Sequence, residues 1–235
     1  MIKFNKLLAL VSGLVVFVAT TANSVEFRAG VTAIGSGYFA NVQEGLKQNS
    51  TSSTPDRITK TEAIAAFTTT AVFAETAIDE MAGLTIGVEV SMENLDLGDQ
   101  QRTITNTSGD SGNDTGTQVV GAEVTDMYTV YLAMPVGDSG AYVKAGYMIA
   151  DLTTKENLAT GSTYKDADIE AISLGMGYDG NLTDMIFWRA EGMYQQIDDI
   201  KLTGSQADED NASSFNTVTA ELGGVQAKLS LGMRF

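Results

Sequence analysis

Six ionisable residues interrupt stretches that are otherwise uncharged: Arg28, Glu89, Lys144, Arg189, Glu191 and Lys228. Each stands between apolar or glycine neighbours, and each shares its parity with small or polar residues. Cations and carboxylates gathered on one face can pair, line an ion path or form a gate; pairing offsets the cost of placing charge in a poorly hydrated space. A satisfied polar core is favoured here over an ion path. Nucleophilic and metal chemistry would need other residues. The chain has no cysteine and no histidine, which excludes a Cys/His zinc site, a thiol nucleophile and a His-based triad. No carboxylate pair is set apart by spacing, so no catalytic residue, cofactor or enzymatic activity is expected. Gly35-Ser36-Gly37 lies in an alternating segment with no helix after it, so it is not a nucleotide fingerprint.

The elements that carry these charges have period two, the period of a strand with two different faces. In Val225 to Phe235 the odd positions Val225, Ala227, Leu229, Leu231, Met233 and Phe235 are apolar, while Gln226, Lys228, Ser230, Gly232 and Arg234 oppose them. Leu84, Ile86, Val88, Val90 and Met92 alternate with Thr85, Gly87, Glu89, Ser91 and Glu93. Ala141 to Ile149 alternate with Tyr142, Lys144, Gly146 and Met148. Ile186, Trp188, Ala190 and Tyr194 alternate with Phe187, Arg189, Glu191 and Met193, and Phe27, Ala29, Val31 and Ala33 with Glu26, Arg28, Gly30 and Thr32. Weaker alternation covers about 62–78, 124–136 and 169–178. Eight strands result.

Short links at 79–83, 135–140 and 179–184 alternate with long polar links at 41–60, 94–121, 151–168 and about 198–213. Tight turns on one side and long loops on the other describe an all-β, antiparallel, up-and-down barrel. Periodicity alone does not say which face looks outward, because a soluble barrel also alternates. The aromatics favour lipid. Phe27, Phe73, Tyr178, Trp188 and Phe235 fall near one end of the apolar stripes and Phe39, Tyr128 and Tyr194 near the other, as two interfacial girdles would. The apolar stripes are therefore expected to face acyl chains and the charges to face a lumen that side chains can fill. Gly30, Gly87, Gly146, Gly175, Gly177 and Gly232 on the lumenal face would make room for long neighbours. The second long link, through Arg102-Thr103-Ile104-Thr105 and Thr117-Gln118-Val119-Val120, either extends a hairpin beyond the membrane or adds two strands, giving ten.

The N-terminus reads as an address. Lys3 and Lys6 precede an uncharged apolar run from Leu7 to Ala19, followed by Thr20, Thr21, Ala22, Asn23 and Ser24. This is the layout of a signal peptide, expected over residues 1–22, with residues 23–235 as the barrel. Removing it leaves 12 basic residues against 30 acidic ones and moves the charge from −16 to −18. A nucleic-acid partner is not expected, because phosphates need clustered Lys and Arg.

A last strand of alternating apolar residues ending in phenylalanine, here Leu229, Leu231, Met233 and Phe235, resembles the assembly signal of bacterial outer-membrane barrels. With eight strands, three tight turns and four long loops, the chain resembles the small OmpA/OmpX-like family, with OmpW-like proteins as the second choice. The resemblance implies residence in the Gram-negative outer membrane among its lipid and lipopolysaccharide, short periplasmic turns, long extracellular loops, and insertion by the barrel-assembly machinery through that last strand. Structural or surface-display function is expected first; a narrow channel or OmpW-like passage of small solutes is the alternative. Acids in the long links, among them Asp96, Asp99, Asp110, Asp114, Asp198, Asp199 and Asp208-Glu209-Asp210, suit a solvated surface or loosely bound divalent cations; no calcium-loop pattern is met.

Overall fold

A computed structural model of the chain describes residues 25–47, 57–104, 116–157, 163–204 and 215–235. The expected signal peptide lies outside the described residues, as do Asp110, Asp114 and Asp208-Glu209-Asp210. Nine β segments form one antiparallel sheet: β1 (Val25–Lys47), β2 (Arg57–Ile78), β3 (Leu84–Ser91), β4 (Leu95–Ile104), β5 (Gly116–Pro135), β6 (Ala141–Asn157), β7 (Ala167–Asn181), β8 (Ile186–Thr203) and β9 (Phe215–Arg234). The order is β3-β2-β1-β9-β8-β7-β6-β5-β4, and a β3–β5 pairing closes the ring.

Nine segments make eight staves. β5 pairs below with β3, from Thr85↔Ala133 to Val90↔Tyr128, and above with β4, from Leu95↔Val124 to Ile104↔Gly116. β3 and β4 are thus successive pieces of one stave, broken at Met92–Asn94. Of the two readings of the second long link, the hairpin extension is the one the fold adopts. The tight turn after β2 is a short 3-10 segment, Asp79–Met81, closed by Ala82 in the left-handed region at φ 56°. Gly83, Gly137 and Gly140 have positive φ in the turns at the same end, where lack of a Cβ removes the penalty.

The staves are longer than the alternation indicates. β1 has 23 residues and β2 has 22, with 20 each in β5 and β9, whereas about 9–11 suffice to cross a bilayer core. Much of what reads as long loop is therefore strand. The physical reason lies in the side chains, which change sides along the staves. On β7 the outward residues are Ile172, Leu174, Met176 and Tyr178, all exposed, but higher up they become Asp168 and Glu170; the inward residues pass from Ser173 to Ala171 and Ile169. On β6, outward Val143, Ala145 and Tyr147 give way to Thr153 and Lys155, while inward Lys144 gives way to Met148, Ala150 and Leu152. The lower half is apolar outside and polar inside. The upper half is polar outside, with a buried apolar cluster of Leu95, Val124, Met148, Ala150, Leu152, Ile169, Ala171 and Ile197 inside. A strand can invert its pattern without changing its pleat, because alternation only separates two faces.

Bulges lie at this change. β5 shifts register between Thr125 and Tyr128, with Asp126 at φ 51°, and β8 shifts between Ile197 and Ile200, leaving Asp198 and Asp199 both exposed. The extra residue keeps Val124 and Ile200 turned toward the interior and increases local twist.

Candidate functional site

Every member of the expected lumenal set is on the inner face: Glu89, Lys144, Arg189, Glu191 and Lys228 are buried and Arg28 is half-buried. The structure arranges them in two tiers. In the lower tier Arg189 donates from Nη1 to Glu75 Oε2 at 2.8 Å and from Nη2 to Glu75 Oε1 at 2.7 Å. Its Nε donates to Asp179 Oδ1 at 2.8 Å. The Tyr131 hydroxyl donates to Glu75 Oε2 at 2.6 Å, and Arg28 Nη1 lies 3.4 Å from Asp179 and 3.7 Å from Glu75. The Arg189 guanidinium lies 5.4 Å from the ring centroid of Phe73 and 5.3 Å from that of Tyr142, within the range where ring quadrupoles attract cations. Planar, forked guanidinium geometry allows one side chain to satisfy two carboxylates at once.

In the upper tier Lys144 Nζ donates to Glu191 Oε1 at 2.8 Å, and the Tyr142 hydroxyl donates to the same oxygen at 2.8 Å. Lys144 Nζ also lies 3.8 Å from the Tyr131 ring centroid, which ties the tiers together. Lys228 Nζ donates to Glu89 Oε1 at 2.6 Å. A cavity of about 30 Å³ lies above, lined partly by Lys228, Gln226, Tyr38 and Gln195, about the room of one water molecule. Tyr38 takes a hydrogen bond from Gln226 at 3.1 Å and gives one to Gln195 at 3.0 Å. The apolar cluster sits over this layer, with Tyr38 packed against it. The lumen is filled at three successive heights.

The lumenal glycines have the role their parity implies. A methyl on Gly87 would overlap the Tyr131 ring, on Gly177 the Tyr142 ring, on Gly30 the Phe73 ring and on Gly232 the Phe187 ring. Gly146 leaves space for Ser173 and Gly175 for Met193. Aromatic rings thus lie flat across the inner wall and fill a narrow cylinder that upright side chains would crowd.

Four residues differ from expectation. Phe73 is not in a girdle: it is only 4% exposed, opposite Gly30 on β1, and its ring meets that of Phe187 at 6.2 Å. Both parities of β2 are rich in Ala, Val and Phe, so hydropathy does not mark its outer face. Glu75 and Asp179, the two partners of Arg189, are absent from the expected network. A signal for the first was available: Glu75 shares parity with Phe73, and a charge inside a spanning strand belongs in the lumen, so both turn inward together. Asp179 falls in what reads as a tight turn but is the last lumenal residue of β7. Finally, Glu93 leaves the lumenal face, because β3 ends at Ser91; it is exposed and accepts from Thr70 Oγ1 at 3.3 Å.

The remaining residues of the expected girdles face outward. Phe39, Tyr178, Trp188, Tyr194 and Phe235 are exposed, and Phe27 and Tyr128 half-buried. The Tyr178 and Trp188 rings meet at 5.8 Å, tilted by 34°. Leu229, Leu231 and Met233 stand exposed on the outer face of β9, and Phe235 N donates to Phe27 O at 2.9 Å. At the lower mouth a cavity of about 440 Å³ is bordered by Arg28, Arg189, Arg234, Asp179 and Asn181. Arg234 Nη1 donates to Asn181 Oδ1 at 2.7 Å, and its Nε lies 3.4 Å from Glu26 Oε1. Among the described residues no group of three or more Asp or Glu could hold a metal ion.

No protein-family model matches the chain, and no curated protein matches it. Among solved structures it is similar to the outer membrane protein OprG from Pseudomonas aeruginosa, at 13% identity and a TM-score of 0.46, covering 88% of this chain and 97% of that one. It is also similar to Neisserial surface protein A, at 10% identity and 0.35, covering 87% and 97%. A third is Ail, the attachment invasion locus protein of Yersinia pestis, at 8% identity and 0.36, covering 88% and 99%.

Proposed function

We propose that this chain is a surface-display protein of the Gram-negative outer membrane: a non-conducting barrel that holds an extracellular extension above the lipid. The observation that carries this reading is the cross-lumen set Arg189–Glu75, Lys144–Glu191 and Lys228–Glu89, with side-chain distances of 2.6–2.8 Å. Buried pairs of this kind do not part readily, because separating them leaves uncompensated charge. The exposed stripe of Val225, Leu229, Leu231 and Met233 supports contact with membrane lipid, and polar residues above it support contact with lipopolysaccharide. The same stripe, ending on Phe235, supports recognition by the barrel-assembly machinery. Acidic links outside the described residues are proposed to hold divalent cations loosely. No catalytic step belongs to this reading. Purified protein in planar bilayers should give no discrete conductance at neutral pH; reproducible steps would rule out the plug.

A second reading has its own support. The apolar interior of Met148, Ala150, Leu152, Ile169, Ala171 and Ile197 suits a small apolar solute that enters above the plug by parting these side chains. An apolar fluorescent probe that gains intensity with the folded protein, and loses it on Ala150→Asp, would favour this reading; an unchanged probe signal would count against it.

A further inference from the structure

Among the described residues the upper part of β2 has no ladder on the side away from β1. β2 bonds to β3 only from Ala71 to Ile78. From Arg57 down to Thr70, β2 has β1 as its only ladder among the described residues. Among the described residues β4, from Leu95 to Ile104, is paired only with β5. Two free strand edges therefore border one slot. At its foot Met92 N donates to Thr70 O at 2.9 Å, and Glu93 takes the Thr70 hydroxyl. Tyr128, an upper girdle residue, is paired with Val90 just below the break, so the slot rises from the outer interface beside the apolar interior.

We propose that this slot is a closable seam, and that β2 and β4 zip onto each other in the register that β2 and β3 already use. Carrying Ala71↔Ser91 and Val72↔Val90 upward without slip brings Phe67 opposite Leu95 and Ala65 opposite Leu97. The parity is right: Leu95 belongs to the buried apolar cluster, and Phe67 packs against that cluster already. A slip of one residue would turn one partner outward. Closure gives the free N–H and C=O groups of both edges their partners, which removes the usual hazard of an unpaired edge. It also flanks Ile64, now 88% exposed, with a neighbouring strand. In this proposal β4 is the piece that moves, together with the upper part of β5 to which it is paired. Its base is tethered where Asn94 Nδ2 donates to Glu123 at 3.1 Å and Lys155 Nζ reaches the same carboxylate at 2.8 Å. Just above, Gly98 at φ 79° and the register shift between Asp96 and Asp99 provide a bend.

Because the native chain has no cysteine, the seam can be tested with an introduced pair. Full-length Ala65→Cys with Leu97→Cys, oxidised in native membranes, should form an intrachain disulfide in the folded, heat-modifiable band. Ala65→Cys with Asp96→Cys, one residue out of register, should not. No cross-link, an equal cross-link in both variants, or a disulfide joining two copies would overturn the proposal. Should the variants fail to fold, amide exchange of the unmodified protein in lipid discs decides it. Thr68 and Ala66, which share the parity of Thr70 at the slot, should exchange as slowly as Val72 and Ala74 on the β3-paired stretch. Exchange at unprotected rates would overturn the proposal.

Discussion

Arg189 on β8 and Glu75 on β2 meet through a two-pronged hydrogen bond although 114 residues separate them in the chain. They are drawn from staves with β1 and β9 between them, so the pair forms only once the first strand has paired with the last. Removing one partner leaves the other charged and buried. Glu75→Gln should destabilise the barrel by about 3–5 kcal/mol, read as a lowered urea midpoint in detergent micelles. The combined Glu75→Leu and Arg189→Met variant should lose less than the sum of the single losses. Additive losses would show that the two residues do not act as a pair.

Gly87 and Gly192 separate close packing from propensity. A methyl on Gly87 would overlap the Tyr131 ring, while Gly192 has nothing near its would-be Cβ. Gly87→Ala should cost about 1–3 kcal/mol through overpacking, and Gly192→Ala should be neutral or slightly stabilising. Equal midpoints for the two variants in the same unfolding experiment would contradict the flat-ring packing of the lumen.

The change of sides is testable with one substitution type at two heights. Leu174 is 60% exposed in the lower, lipid-facing band, and a lysine there should cost about 2–4 kcal/mol in bilayers. Gln196 faces outward on neighbouring β8, opposite Ile172 and above Tyr194. Gln196→Lys should change stability by no more than about 0.5 kcal/mol. Comparable losses at both sites, measured by reversible unfolding in liposomes, would place Gln196 in hydrocarbon.

Leu152 tests the apolar interior of the extension. Its side chain is buried with Val124 and Ile169. Leu152→Ala should cost about 2–5 kcal/mol, the penalty of a cavity in an ordinary soluble core. An unchanged urea midpoint would mean that this cluster does not pack.

The assembly reading and stability can be separated at Phe235, which is 71% exposed. Phe235→Ala should leave the midpoint of the refolded protein within about 0.5 kcal/mol, as for a surface substitution, yet lower the amount of folded barrel recovered from outer membranes. Unchanged recovery would argue against recognition of the last residue.

Period two in the residues determined the fold class and the up-and-down order, and the aromatics together with the charges pointed to the outer face of the strongly patterned staves. It placed Arg28, Glu89, Lys144, Arg189, Glu191 and Lys228 in the lumen because a charge flanked by greasy neighbours has one tolerable direction in a bilayer. It also assigned the lumenal glycines their role. Where both parities carry similar side chains, as around Phe73, alternation was silent, and the direction came from pairing with Gly30 across β1. Tertiary structure alone decided that Arg189 pairs with Glu75, that one stave breaks at Met92–Asn94, and that the pattern inverts above the girdle. The reason is physical: a strand's sequence separates two faces, but which face meets lipid, water or the opposite wall depends on height in the membrane and on staves distant in the chain.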